Sequence, residues 1–125
     1  MQQAQAAIIL LAHGSRDPLW RRPIEAVAAR IRASQPGLAV RCAYLELCEP
    51  GLPAALDELT ALGALRISIV PLFVGAGRHV RDDLPLQVQA LAEAHPQVEL
   101  RLQPPIGEND RVTALMADIA ADTVR

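Results

Sequence analysis

Short, continuous apolar runs alternate with amphipathic stretches along this chain, and the alternation occurs four times. The first run, Ala7 to Ala12, stops abruptly at His13-Gly14-Ser15-Arg16. An unbroken apolar run of this length predicts a strand buried on both faces, with its carboxyl end meeting solvent at the histidine. Gly14 permits a sharp turn there without a Cβ clash, leaving His13 at the rim. Asp17-Pro18 then supplies an N-cap and a first turn. The stripe Trp20, Ile24, Val27 and Ile31 predicts a helix over about 21–34, ended by Pro36-Gly37.

The second unit repeats the scheme, with a strand over 38–45 followed directly by Glu46, and a helix over 53–62 closed by Gly63. A third strand, 66–70, runs into a loop from Pro71 to His79 in which Gly75 and Gly77 argue against regular structure. Asp82 or Asp83 is expected to cap the third helix, with Pro85 in its first turn and its end near His95. A strand over 98–102, a break at Pro104-Pro105 and a helix over 109–124 complete the pattern.

Four β-α units with short connections predict an α/β fold in three layers, a four-stranded parallel sheet between helices, with strand order 2-1-3-4. At 125 residues the chain is read as one domain, 1–125, able to bury a real core. No apolar run approaches the roughly 20 residues that span a bilayer. The opening Met1 to Ala6 lacks a basic start, so neither membrane insertion nor a signal peptide is expected, and the cytoplasm is.

Composition narrows the partners. A net charge of −2 gives no footprint for nucleic acid. All 12 basic residues are arginine, whose planar fork grips carboxylates in a bidentate way that lysine cannot. Cys42 and Cys48 match no zinc or redox spacing and are expected to remain reduced. Gly75-Ala-Gly77 lacks the rest of any phosphate-loop pattern.

In a parallel α/β sheet the loops leaving the strand ends share one edge, and ligands bind there. This places His13, Glu46 and His79, from three different loops, around one crevice. Two imidazoles and a carboxylate suit divalent first-row ions, and without cysteine pairs or close histidine spacing the set is open rather than structural. Openness is what an ion that must leave again requires. Trp20, Tyr44 and Phe73 lie in the same segments and could wall a flat organic ligand. Arg16, Arg21, Arg22, Arg78 and Arg81 flank the two histidine loops and could collar a polyanion. His95, before Pro96, reads as a solvated surface residue without a role.

Leu11-Ala-His-Gly-Ser-Arg16, Tyr44-Leu-Glu46, and Pro71-Leu-Phe-Val-Gly-Ala-Gly-Arg-His79 followed by Asp83-Leu-Pro85 resemble the short form of the CbiX/SirB sirohydrochlorin chelatases. The likeness extends to Pro105-Ile-Gly107. It implies a chelatase-like, flavodoxin-resembling sheet and insertion of Co²⁺ or Fe²⁺ into a polycarboxylate tetrapyrrole during cobalamin or sirohaem synthesis. By the same resemblance His13, Glu46 and His79 hold the metal and move protons, while Ser15, Arg16, Arg78 and Arg81 face the substrate. The ion (Co²⁺, Fe²⁺ or Ni²⁺) enters as substrate, with no permanently bound cofactor. Longer relatives set two such domains face to face, so a homodimer is expected. Tyr44, Val74 and Leu84 stand where Phe, Leu and Ile are commoner.

Two rivals remain. Histidine phosphatases also place His-Gly after the first strand, but they need an arginine immediately before it, where this chain has Ala12. A carrier of metal or tetrapyrrole that performs no insertion would use the same residues.

Overall fold

The computed structural model describes residues 6–125. The reading of Met1 to Ala6 therefore falls almost entirely outside the described residues. Four strands, β1 (Ala6–Ala12), β2 (Ala39–Tyr44), β3 (Arg66–Pro71) and β4 (Glu99–Leu102), form one parallel sheet in the order β2-β1-β3-β4. Between and after them run α1 (Arg22–Ser34), α2 (Leu52–Ala61), α3 (Arg78–Ala94) and α4 (Asp110–Asp122). The expected architecture and strand order both hold. In the central register Leu10 of β1 lies between Cys42 of β2 and Val70 of β3.

The apolar run of β1 is continuous because that strand buries one face fully and most of the other, while β3 buries one face fully and the other in part. On one face Ile9, Leu11, Ile67 and Ile69 pack against Leu56 and Leu59 of α2 and Leu84 and Val88 of α3. On the other, Leu10 and Val40 pack against Ala28 of α1, with Ile31 partly buried beside them. Each fully buried Leu or Ile side chain contributes roughly 1.5–3 kcal/mol relative to leaving it exposed. The stripe of α1 is shifted from its expected line, because Ala28 is the buried contact and Val27 stays 39% exposed.

Differences at element ends have local causes. Asp17 accepts from the Leu19 amide at 2.9 Å, but the turn it caps is a 3-10 segment, Pro18–Arg21, ahead of α1. The third helix starts at Arg78, not at Asp82 or Asp83, because Gly77 is extended (φ −69°, ψ 170°) and serves as the N-cap without a side chain. Pro85 is therefore inside α3, where it removes the bond to the Arg81 carbonyl. His79 moves from a loop to the first turn of a helix.

His95 also departs from expectation. Its Nδ1 is 3.0 Å from the Leu91 carbonyl and its Nε2 is 3.2 Å from Asp57 Oδ1, with only 20% of the side chain exposed. It ties the end of α3 to α2. On the outer side of α2, Glu58 pairs with Arg41 of β2.

One helix is left over. No residue of α4 is buried, and its contacts within the chain are confined chiefly to the 3-10 turn Ile106–Glu108 that precedes it. Leu115 and Ile119 are each 59% exposed on one stripe with Val112 and Met116. The α1 face of the sheet is correspondingly covered only in part, with Ile8, Val70 and Leu72 half-buried.

Candidate functional site

The carboxyl edge of the sheet is stapled loop to loop by its own backbone. Past the ends of β1 and β2, the Leu45 amide donates to the Ala12 carbonyl at 3.0 Å and the Glu46 amide to the His13 carbonyl at 3.1 Å. His13 and Glu46 are thus neighbours by main-chain hydrogen bonds. Gly14 has φ +106°, and a Cβ there would stand 1.8 Å from the Glu46 carbonyl oxygen. No other residue fits the turn without moving one loop off the other.

The third loop is fixed to the first by the Leu72 amide, which donates to the Leu11 carbonyl at 2.7 Å. Phe73 follows, 3% exposed, and its ring stacks on the His13 imidazole with centroids 4.4 Å apart and planes 28° apart. The Phe73 carbonyl accepts from the Gly107 amide at 2.9 Å, which joins the fourth loop to the third. Behind Phe73 lies an apolar cavity of about 310 Å³, lined also by Pro71, Val80, Leu84 and Pro104, with Arg81 and Gln103 among its polar walls.

His13, Glu46 and His79 are all exposed. The structure brings His13 against Phe73 and beside Glu46 through the backbone, and sets His79 at the start of α3. It does not draw the three together: among the described residues no three His, Cys, Asp or Glu side chains form a group that could hold a metal ion. Arg16, Arg78 and Arg81 are exposed and, among the described residues, make no ion pair. Ser15 is half-buried, and its hydroxyl accepts from the Asp17 amide at 3.0 Å, so it shapes the loop.

Of the other aromatic residues, Trp20 meets Tyr44 edge to face with centroids 6.3 Å apart. Burial is the main cause that pushes the Tyr44 hydroxyl up to about 12, so it keeps its proton at neutral pH. Burial likewise raises the Cys42 thiol. Among the described residues, the Tyr44 hydroxyl and the Arg21 Nε are buried without a hydrogen-bond partner. Sequence reasoning missed the role of Gly107, where a Cβ would stand 1.9 Å from the Val74 carbonyl oxygen. The signals were its place in the Pro105-Ile-Gly107 motif and just before a helix, and neither shows that it packs on Val74.

A parallel sheet of order β2-β1-β3-β4, with chemistry-bearing loops pinned together along one edge, defines a chelatase-like α/β protein. The model of the CbiX family matches residues 7–123. The crystal structure of the CbiX protein from Marinobacter aquaeolei VT8 is 36% identical and superposes with a TM-score of 0.83 over 95% of this chain and 97% of that one. A sirohydrochlorin cobaltochelatase from Methanococcus aeolicus is 29% identical over 91% of this chain and 96% of its own length. A sirohydrochlorin ferrochelatase from Priestia megaterium is 27% identical over 94% of this chain, which spans only 44% of that longer relative. The chain belongs to the CbiX family.

Proposed function

We propose that this protein is a sirohydrochlorin chelatase that inserts Co²⁺ or Fe²⁺ into the tetrapyrrole. The observation that carries the reading is His13, exposed at the end of β1 and seated on Phe73. Its support is the activity named for relatives matched over nearly the whole chain. Insertion exchanges two pyrrole N–H protons for one divalent ion. In this reading His13 and His79 would take the incoming ion and accept those protons, and Glu46 would complete the ligation or relay a proton, although the three side chains stand apart in this structure. The ion, with Ni²⁺ as a third candidate, is a substrate, and no resident cofactor is assigned. An open, solvent-exposed donor set suits an ion that must be handed on.

Ser15, Arg16, Arg78 and Arg81 face the carboxylates of the substrate in this reading. Arginine forks suit such groups, and three arginines without a carboxylate partner among the described residues are available to them. The edge would be one wall of a complete site, the opposite wall coming from a second copy in a homodimer. Two features support that. The Priestia megaterium relative is more than twice as long as the segment it shares with this chain. The apolar stripe of α4 and the half-covered sheet face at Val70 and Leu72 leave apolar surface that a second copy could cover. Free thiols at Cys42 and Cys48 suit a reducing compartment such as the cytoplasm.

Incubation with sirohydrochlorin and Co²⁺ or Fe²⁺, followed by absorption against a protein-free control, tests the proposal. Faster conversion than the control is expected. A rate equal to the control removes the chelatase reading and leaves a carrier.

A further inference from the structure

His13 and His95 are held in different ways. Both ring nitrogens of His95 are bonded, one to a carbonyl and one to a carboxylate. The His13 ring has no hydrogen-bond partner among the described residues, and its one close ring contact is the face of Phe73. An exposed imidazole without such a seat would sample several rotamers.

We infer that Phe73 is the positioning residue for His13, and that its seat is anchored through Gly107 to the foot of α4. The inference rests on the reading of His13 as a metal- and proton-handling group. Stacking engages the face of the imidazole and leaves both nitrogens free at the ring edge. The ring is therefore aimed without spending either lone pair or N–H. A carboxylate on the second nitrogen would also aim the ring, but it would raise the basicity of the ligand and tighten its hold on the metal. A stacked seat orients the imidazole without that tightening, which fits an ion that is passed on to a substrate.

The seat itself is rigid. Phe73 is part of the main core cluster, and its neighbour Leu72 is tied to β1. Its carbonyl takes the Gly107 amide, and the contact of Gly107 with Val74 leaves no space for a side chain. The turn that launches α4 thus sets where Phe73 lies, and Phe73 sets where His13 lies.

The test compares the full-length wild type with Phe73→Met, which removes the ring at similar volume, and Phe73→Tyr, which keeps it. Gly107→Ala serves as a second variant that leaves the ring and disturbs its anchor. Two readouts are needed: the proton resonances of His13, assigned with His13→Ala, and kcat and KM for sirohydrochlorin with Co²⁺. Ring-current shielding should displace the His13 resonances upfield in the wild type and Phe73→Tyr, and the displacement should shrink in Phe73→Met and Gly107→Ala. In those two variants kcat should fall on the order of tenfold, the scale expected when a reacting group is misplaced by a fraction of an ångström. KM should stay within about twofold, and Phe73→Tyr should keep wild-type kcat within about twofold, because the substrate contacts lie elsewhere. Unshifted His13 resonances with unchanged kcat in Phe73→Met, or equal losses in Met and Tyr, overturn the inference. If Phe73→Met does not fold, the same two measurements on Gly107→Ala decide it. Full turnover in His13→Ala would instead overturn the reading of the site.

Discussion

Gly14 and Glu46 meet backbone to backbone, so closely that a Cβ on Gly14 would lie 1.8 Å from the Glu46 carbonyl oxygen. This contact holds the first two loops of the strand edge together. Gly14→Ala combines that clash with a left-handed φ of +106°. It should destabilise the fold by about 1–3 kcal/mol, the usual cost of a side chain in such a conformation. Turnover should fall by more than stability does, because the clash separates His13 from Glu46. Urea titration and steady-state assays on the same preparation check both.

His13 and His79 are exposed and outside the core, so truncating either should leave the fold intact. His13→Ala and His79→Ala are each expected to lower kcat/KM by about 100-fold or more, the range for losing a general base or metal-handling group. Thermal midpoints should stay close to wild type, as for most surface substitutions. Wild-type turnover in both variants would relocate the site.

The stripe on α4 carries the dimer proposal. Introducing carboxylates with Leu115→Asp and Ile119→Asp should convert a dimer into monomers, since an unpaired buried charge opposes association strongly. Light scattering reads the mass directly. Activity should fall with it if the second copy provides the opposite wall.

Tyr44 makes a prediction about alkaline pH. Its hydroxyl titrates near 10.0 in an unfolded chain and near 12 in the fold, burial being the first cause. Between those values the unfolded chain has lost the proton that the folded chain keeps, so stability falls as pH rises through that window. Cys42, raised from 9.0 chiefly by burial, acts in the same direction. Tyr44→Phe removes a buried hydroxyl without a partner. It should be neutral or stabilising at neutral pH, and it should flatten the alkaline decline of the urea midpoint without abolishing it.

Local patterning specified a good deal here. The apolar run at 7–12 and the Ile- and Val-rich stretch at 66–70 read as strands, being short, rich in β-branched residues and bounded by Gly or Pro, so the parallel sheet and the edge where His13 lies were legible. The start of α3 was not, because an extended Gly77 can cap a helix without a side chain, and no periodicity favours it over Asp82 or Asp83. The contact at Ala28 was hidden for a related reason: hydrophobic spacing marks the larger Val27 beside it, not an alanine.

What remained beyond the reach of patterning lies between residues far apart in the chain. His13 and Phe73, Gly14 and Glu46, and Gly107 and Val74 are each paired by sheet order and loop packing. Their energies are those of stacking and steric exclusion at a few ångströms, and neither leaves a periodic trace. His95 belongs with them, since its partner Asp57 is on another helix. Composition and spacing supplied the groups able to handle a metal and a polyanion. Packing fixed which face of His13 is held, which turn holds it, and that α4 buries no residue among the described ones.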